Sequence, residues 1–331
     1  MRGLWKLTVS AVGHGVRCVP FRLHSGRPPA PLGARILTNP DDVCKHNMWY
    51  FCALMLWLTS LFDCRLLFVC VPVRYERDAH QYWNGFYERH HNKFFKNRQW
   101  LFSEFPELLP PASLSDSPEV LRDFAVKSQE TVAFPGQHAS FRILEVIDIF
   151  YRVDLNVCFI QCLFRDTFLY CIDFSSRAIQ LVKHPDYDPA VCHAFVHDVC
   201  DGASLFPFPP GSLDVILVVF VLSSIHPERL QGVVNRLASY LKHGGSILFK
   251  DYGRYDLAQL RFKKGQCLSD NFYTRQDGTR VYFFTKEEVH QMFTDAGLEE
   301  IQNLEDKRLQ VNRGKKVVMR RVWIQSKYRK P

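Results

Sequence analysis

From Phe141 onward, short apolar runs alternate with stretches whose apolar residues recur at three- and four-residue intervals. This alternation predicts an α/β architecture, a parallel sheet with crossover helices. "FRILEV" (141–146) supplies a first strand, "TFLYCID" (167–173) a second and "CHAFVHDV" (192–199) a third. "SLDVILVVFVLS" (212–223) is a fourth, apolar throughout as a strand covered on both faces must be. Between them the pattern predicts a helix over 175–183. A second helix starts at Pro227, runs through "PERLQGVVNRLASYLK" and stops at Gly244–Gly245. "SILFKD" is a fifth strand, and Tyr252–Phe284 reads as an irregular insertion. Thr285 and Glu288 then form a capping box that opens a helix ending near Gly297. Two strands follow, roughly 300–311 and 316–327, the last running against the others.

The first third of the chain lacks this rhythm. From Met1 to Pro40 it has no acidic residue, while Arg2, Lys6, Arg17, Arg22, Arg27 and Arg35 are spread among apolar positions at roughly helical spacing. That is the pattern of a mitochondrial transit peptide, and a basic arm that binds RNA is the other reading. Met48–Val73 is apolar for about fifteen residues before Asp63 and Arg65 interrupt it, short of the roughly 18 to 20 a spanning helix needs. A membrane span is therefore not the expectation. In "YERDAHQYWNGFYERHHNKFFKNRQWLFSEFPELL" (75–109) aromatic residues alternate with Lys, Arg, His and Asn. Such a segment can stack on bases while its cations meet phosphate, or it can be an amphipathic helix whose rings pack on a core. Residues 111–140, with "PPASLSDSP" just before their middle, read as a linker.

Composition narrows the choice little. The 331 residues are 47% apolar, enough for a real core, and the net charge of +8 fits a polyanion binder or an ordinary basic protein. Eleven cysteines include no CxxC pair, which points to free thiols in a reducing compartment.

Ligands of open α/β sheets sit beyond the carboxyl ends of the strands, so the residues that end each strand are the candidates. Asp173 ends the second strand, where a carboxylate can accept both hydroxyls of a ribose. Asp198 ends the third, facing an adenine amino group, and Val219 and Phe220 offer apolar cover from the fourth. Asp251 ends the fifth. An aspartate at a strand end is also a common turn residue. No metal is expected: His193 and His197, four apart on one strand, lie about 13 Å from one another, too far to share an ion.

The segments "YWNGFYERHHNKFFKNRQWLFSEFPEL", "HDVCD", "FVLSSIHPERL", "DYGRYDLAQLRFKKGQCLSDNFYTRQDGTRVYFFT" and "RLQVNR" resemble the tRNA N3-methylcytidine methyltransferases, and the N-terminal arm is most similar to the family's mitochondrial type. The resemblance implies a class I S-adenosylmethionine-dependent methyltransferase with a Rossmann-like, mostly parallel seven-stranded sheet and an N-terminal helical extension. It implies a transit peptide over 1–35, a cofactor-closing and tRNA-binding extension over 36–110, and the methyltransferase domain over 141–331. Trp83 and Tyr87 would close over S-adenosyl-L-methionine, Asp173 would hold its ribose, Asp198 and Val199 would flank the adenine, and Val219 would lie beneath. The substrate would be a cytidine in the anticodon loop of threonine or serine tRNA, with a seryl-tRNA synthetase as a further partner and the mitochondrial matrix as the location, the cytoplasm or nucleus being the alternatives.

The lone pair on cytosine N3 needs no strong base, so the reaction would rest on positioning and electrostatics. Asp251, Tyr252 and Arg254 are the residues expected there, and Lys93, Lys96, Arg98, Arg261, Lys263 and Lys264 are expected on the RNA. One feature breaks the pattern. Where the family carries a Gly-x-Gly turn after the first strand, this chain has Ile147, Asp148, Ile149 and Phe150, whose bulk is expected to crowd the methionine part of the cofactor. Both this stretch (147–167) and 48–73 read as sequence foreign to the family, such as retained intron. A non-catalytic tRNA-binding protein of the same fold is thus a second expectation; a nicotinamide dehydrogenase is disfavoured for want of the glycine fingerprint.

Overall fold

The computed structural model describes residues 74–90, 100–109, 133–146, 166–183, 187–263, 265–312 and 317–331. The transit-peptide segment, the apolar stretch 48–73, the glycine-less stretch 147–165 and the candidates Lys93, Lys96, Arg98 and Lys264 lie outside the described residues, as does 110–132 of the linker. Among the described residues no helix is long and apolar enough to cross a membrane.

In chain order the elements are α1 (Ala79–His90), preceded by a turn of helix over 74–77, and α2 (Trp100–Glu104). Next come β1 (Phe141–Val146), β2 (Thr167–Asp173), α3 (Ser176–Val182), β3 (Cys192–Val196) and β4 (Leu213–Val219). They are followed by α4 (Pro227–Tyr240), β5 (Leu241–Tyr252), β6 (Cys267–Ser269), β7 (Phe272–Thr274) and β8 (Arg280–Tyr282), and the chain closes with α5 (Lys286–Asp295), β9 (Glu299–Asn312) and β10 (Val317–Arg329). Seven strands form one sheet in the order β3-β2-β1-β4-β5-β10-β9. β1 to β5 are parallel, and β10 runs antiparallel to both β5 and β9.

The period of two along β1 sorts its side chains between two cores. Phe141 and Ile143 pack with Leu101 of α2, with Phe105 just after it, and with Ile179 and Val182 of α3. Leu144 and Val146 face the opposite layer, where Leu230, Val234 and Leu237 of α4 meet Val289 and Phe293 of α5. Helices on both faces explain why β2 is buried at every position.

Several boundaries differ from the sequence reading, and β5 begins at Leu241 rather than Ser246. β3 ends at Val196 rather than Val199. β4 ends at Val219 because Phe220 takes a left-handed φ of 61°, which no strand continues through. α4 stops at Tyr240, two residues early, because Leu241 is fully buried and already pairs with Leu213 in the sheet. The insertion is not irregular: β6, β7 and β8 make a small antiparallel sheet with its own core of Tyr252, Tyr273, Val281 and Phe283. The capping box at Thr285 is present as read, with Thr285 Oγ1 accepting from the Glu288 N–H and Glu288 accepting from the Thr285 N–H.

Candidate cofactor and RNA site

β1, β2 and β3 end together, and a cavity of about 330 Å³ opens beyond their carboxyl ends. That is the low end of the size range of small-molecule sites. Val146 forms part of its floor, Asp173 and Phe174 one wall, and His197 to Cys200 another. Helix α1 roofs it with Ala79, Trp83 and Tyr87, all three buried.

The roof is tied down at the end of β2. Tyr87 donates its hydroxyl proton to Asp173 Oδ2 at 2.7 Å, and the Ser175 N–H donates to Asp173 Oδ1 at 2.6 Å. Ser175 Oγ reaches Asn84 of α1 while capping α3 through the Ala178 N–H. Asp173 is almost inaccessible to solvent. Burial pushes its carboxyl up to about 7, against the pull of the Tyr87 hydroxyl and the Ser175 N–H. A carboxylate offers about four lone-pair sites, so these two donors leave room for a pair of ligand hydroxyls.

The mouth is closed by residues that the sequence did not single out. Glu76, one turn before α1, accepts from Arg229 of α4 at 2.7 Å and also pairs with Arg280 of β8. One carboxylate thereby joins the N-terminal helix, the sheet domain and the insertion. Burial raises the Glu76 carboxyl, but the two guanidiniums outweigh it and hold the group below its ordinary value. Tyr82 reinforces the same contact by lying against Gly278, where a Cβ would overlap its ring. Nothing in the sequence marks Glu76 for this bridge, since Asp78 stands two residues on and pairs with Arg77 instead.

The structure brings together Trp83, Tyr87, Asp173, Asp198 and Val199 around the cavity. It does not bring Val219 there: that side chain is buried on the α2–α3 side of the sheet, and Val221 lines the cavity in its place. Asp251 also stays away from the cavity lining. Fully buried, it accepts from the Ser223 N–H at 2.9 Å and from the Tyr252 N–H at 2.8 Å, and burial pushes its carboxyl up to about 7. Its position fixes the turn Leu222–Ser224, which carries the cavity wall. Tyr252 packs against Phe220 at 5.0 Å between ring centroids, with the guanidiniums of Arg275 and Arg321 near its faces. Arg254 pairs with Glu288, the capping-box acid, which braces the insertion against α5. Arg261 lies in a second, open cavity with Arg89 and Arg275, whereas Lys263 is exposed just outside its lining. Among the described residues no group of three or more His, Cys, Asp and Glu side chains is placed to hold a metal.

The donor set suits the adenosine half of a nucleoside cofactor. A buried carboxylate with unused acceptor sites stands at the β2 end, and a second, Asp198, stands beside the apolar Val199 at the β3 end. The methionine half would pass beyond Val146, where the chain enters 147–165.

Residues 153–303 match the family described as a methyltransferase domain. The tRNA N(3)-cytidine methyltransferase METTL2 of Danio rerio is 49% identical over 325 residues, covering 90% of this chain and 89% of that protein. METTL2B of Homo sapiens is 44% identical, covering 91% and 93%. The tRNA N(3)-methylcytidine methyltransferase trm140 of Schizosaccharomyces pombe is 36% identical, covering 90% and 92%. None of these three names carries the mitochondrial type. Among solved structures, a SAM-dependent methyltransferase of Methanosarcina mazei is 14% identical with a TM-score of 0.43, covering 59% of this chain and 93% of that one. With nine-tenths of its length aligned at up to 49% identity, and with a seven-stranded sheet whose last strand in the chain is reversed, the chain belongs to the tRNA N(3)-cytidine methyltransferase family.

Proposed function

We propose that this chain methylates ring nitrogen 3 of a cytidine in the tRNA anticodon loop, with S-adenosyl-L-methionine as methyl donor. The observation that carries the reading is the Tyr87–Asp173 hydrogen bond, which seats helix α1 over a cavity at the strand ends. When bound, the cofactor supplies an electrophilic methyl group on a sulfonium. Asp173 would accept from the ribose hydroxyls, Asp198 would accept from the adenine amino group, and Val199 and Trp83 would cover the base. Tyr87 and Trp83 exclude water. Asp251 acts through the backbone of Ser223, as a positioning residue for the cavity wall rather than a group at the cytidine. The base needs no proton removed from N3, so no side chain has to serve as general base.

The test is transfer of a labelled methyl group to tRNA, with the modified position mapped, in the parent chain and in Asp198→Ala. Label at an anticodon-loop cytidine that disappears in the variant is expected. A panel of tRNAs with and without seryl-tRNA synthetase tests threonine and serine isoacceptors as substrates. Fusing residues 1–35 to a fluorescent reporter tests mitochondrial import, which the acid-free basic arm supports.

A second reading rests on Ile147, Asp148, Ile149 and Phe150 in the place of the glycine turn. Crowding there lowers cofactor affinity by on the order of a hundredfold, a few kcal/mol, and leaves a tRNA-binding protein without catalysis. Micromolar cofactor binding by calorimetry excludes it. Retained tRNA binding with neither cofactor binding nor methyl transfer favours it.

A further inference from the structure

The loop 197–204 follows β3 and presents Asp198 and Val199 to the cofactor cavity, and one side chain of α4 grips it along its length. That side chain, Arg236, is half-buried and does not itself reach the cavity lining. Its Nη1 donates to the Asp201 carbonyl and, at 3.4 Å, to the Val199 carbonyl. Its Nη2 donates to the Ser204 carbonyl and, at 3.1 Å, to Nε2 of His197. The two Nη atoms carry four N–H groups, and the loop supplies four acceptors. Neither acid of the loop is the partner. Asp198 Oδ1 accepts from the Cys200 N–H at 2.8 Å, and Asp201 Oδ1 accepts from the Ala203 N–H at 3.0 Å.

The grip requires His197 to accept, so its ring is neutral with the proton on Nδ1. Burial first, and the Arg236 guanidinium second, hold this imidazole below its ordinary value against the pull of Asp198 and Asp201. The His197 N–H donates to the Asp173 carbonyl at 3.0 Å, which aligns the loop with the ribose end of the site. Phe206 closes the arrangement, with its ring 4.2 Å from the His197 ring and 4.8 Å from the Arg236 guanidinium. Arg229, two turns earlier on α4, holds the loop only at the Cys200 carbonyl, at 3.0 Å, and is shared with Glu76. Arg236 thus fixes the backbone on both sides of Asp198 and Val199. A lysine cannot do the same, because three N–H groups on one nitrogen do not span four acceptors.

We propose that Arg236 is a positioning residue that sets the preference of the cavity for adenine. It holds Asp198 where the carboxylate meets an amino group. A base with a carbonyl at that place, such as hypoxanthine, sets acceptor against acceptor. The inference rests on the cofactor reading above and adds to it the residue on which base selection depends.

The test is calorimetric titration of the full chain with S-adenosylhomocysteine and S-inosylhomocysteine, which differ at that one group. Adenosine and inosine, followed by ligand NMR, repeat the comparison without the methionine half. The parent should prefer the adenine ligand by about tenfold or more, as the loss of a hydrogen bond to a charged acceptor implies. Arg236→Met should bring the two ligands to within about twofold, chiefly by weakening the adenine ligand. Arg236→Lys keeps the stem and the charge, guards against loss of the fold, and should give an intermediate preference. In an Asp198→Ala background, Arg236→Met should change the affinity for the adenine ligand by less than about twofold, since the two residues act as a unit. Equal weakening of both ligands by Arg236→Met, or the parent preference kept in both variants, overturns the inference and leaves the cofactor reading standing. So does a further loss of about tenfold in the Asp198→Ala background. A parent that binds both ligands of a pair equally overturns the inference together with Asp198 as the acceptor of the amino group. A parent that binds none of the four ligands overturns the cofactor reading as well.

Discussion

Replacing Tyr87 by Phe removes the hydroxyl that donates to Asp173 in the cofactor site and keeps the ring. The ring keeps its place beside Trp83 and Phe86, at centroid distances of 6.4 and 6.2 Å. What disappears is the 2.7 Å donation to Asp173 Oδ2. The Asp173 carboxyl must be ionised to accept two ribose hydroxyls, and burial already holds it at about 7 against an ordinary 3.8. Below that point the folded chain carries a proton where the ligand needs an acceptor. Parent affinity for S-adenosylhomocysteine should therefore fall about tenfold between pH 8 and pH 6, as the ionised fraction drops from roughly ten in eleven to one in eleven. A hydrogen bond to a charged group contributes about 1.5–3 kcal/mol, so its loss should carry the midpoint up by about one to two pH units. At pH 7.5 the variant should bind roughly ten times more weakly, and at pH 9.5 the gap should narrow. Calorimetric titration across this range measures both midpoints. A parent affinity independent of pH, or a Tyr87→Phe midpoint equal to the parent's, refutes the assignment of Asp173 as the hydroxyl acceptor.

Other perturbations probe how the roof is held. Gly278→Ala places a methyl group into the Tyr82 ring at a φ of +87°, whereas Gly244→Ala at +79° meets open space. Urea denaturation should show about 2–5 kcal/mol lost in the first and about 1–2 in the second; equal losses would mean that Tyr82 does not press on the insertion. Glu76→Gln strips the shared partner from Arg229 and the buried Arg280, and should lower stability by about 2 kcal/mol at pH 7 after allowance for its partial exposure. Because the Glu76 carboxyl is held below its ordinary value, that difference should be present above about pH 4.5 and fade as acid protonates the group, which melting curves at pH 4 and pH 7 can compare. Asp256→Ala leaves Arg321 and the Val322 N–H without their 2.8 Å acceptor inside the protein, and should cost about 3 kcal/mol in the same assay.

What the sequence disclosed was whatever leaves a local mark. β1 and β2 were legible to the residue because each is a short, largely apolar run, opened after Ser140 in one case and closed by Asp173 in the other, and the start of α5 because its capping box is written in four consecutive positions. Asp173 could be located as the residue that ends β2, and Asp198 because it follows β3 by two residues. Val219 misled because the apolar pattern runs on to Ser223, whereas the strand stops at Val219 and the left-handed Phe220 redirects the chain, so that Val221 lines the cavity. Asp251 misled because a carboxylate at a strand end looks the same whether it faces a ligand or two backbone N–H groups. The Glu76 bridge spans 153 residues to Arg229 and 204 to Arg280, and no periodicity reports contacts over such distances.

That same span sets an order on the making of the protein. The roof of the cofactor cavity is synthesised early, with residues 74–90, while the groups that fasten it, Gly278 and Arg280, follow some two hundred residues later. A ribosome adds about 5–20 residues each second, so the aromatic helix waits on the order of ten to forty seconds for its mooring. Through that interval Trp83, Phe86 and Tyr87 can rest on the β2–α3 segment once it has emerged. A nascent chain of this family is therefore exposed, for most of its synthesis, along the helix it later uses to enclose its cofactor.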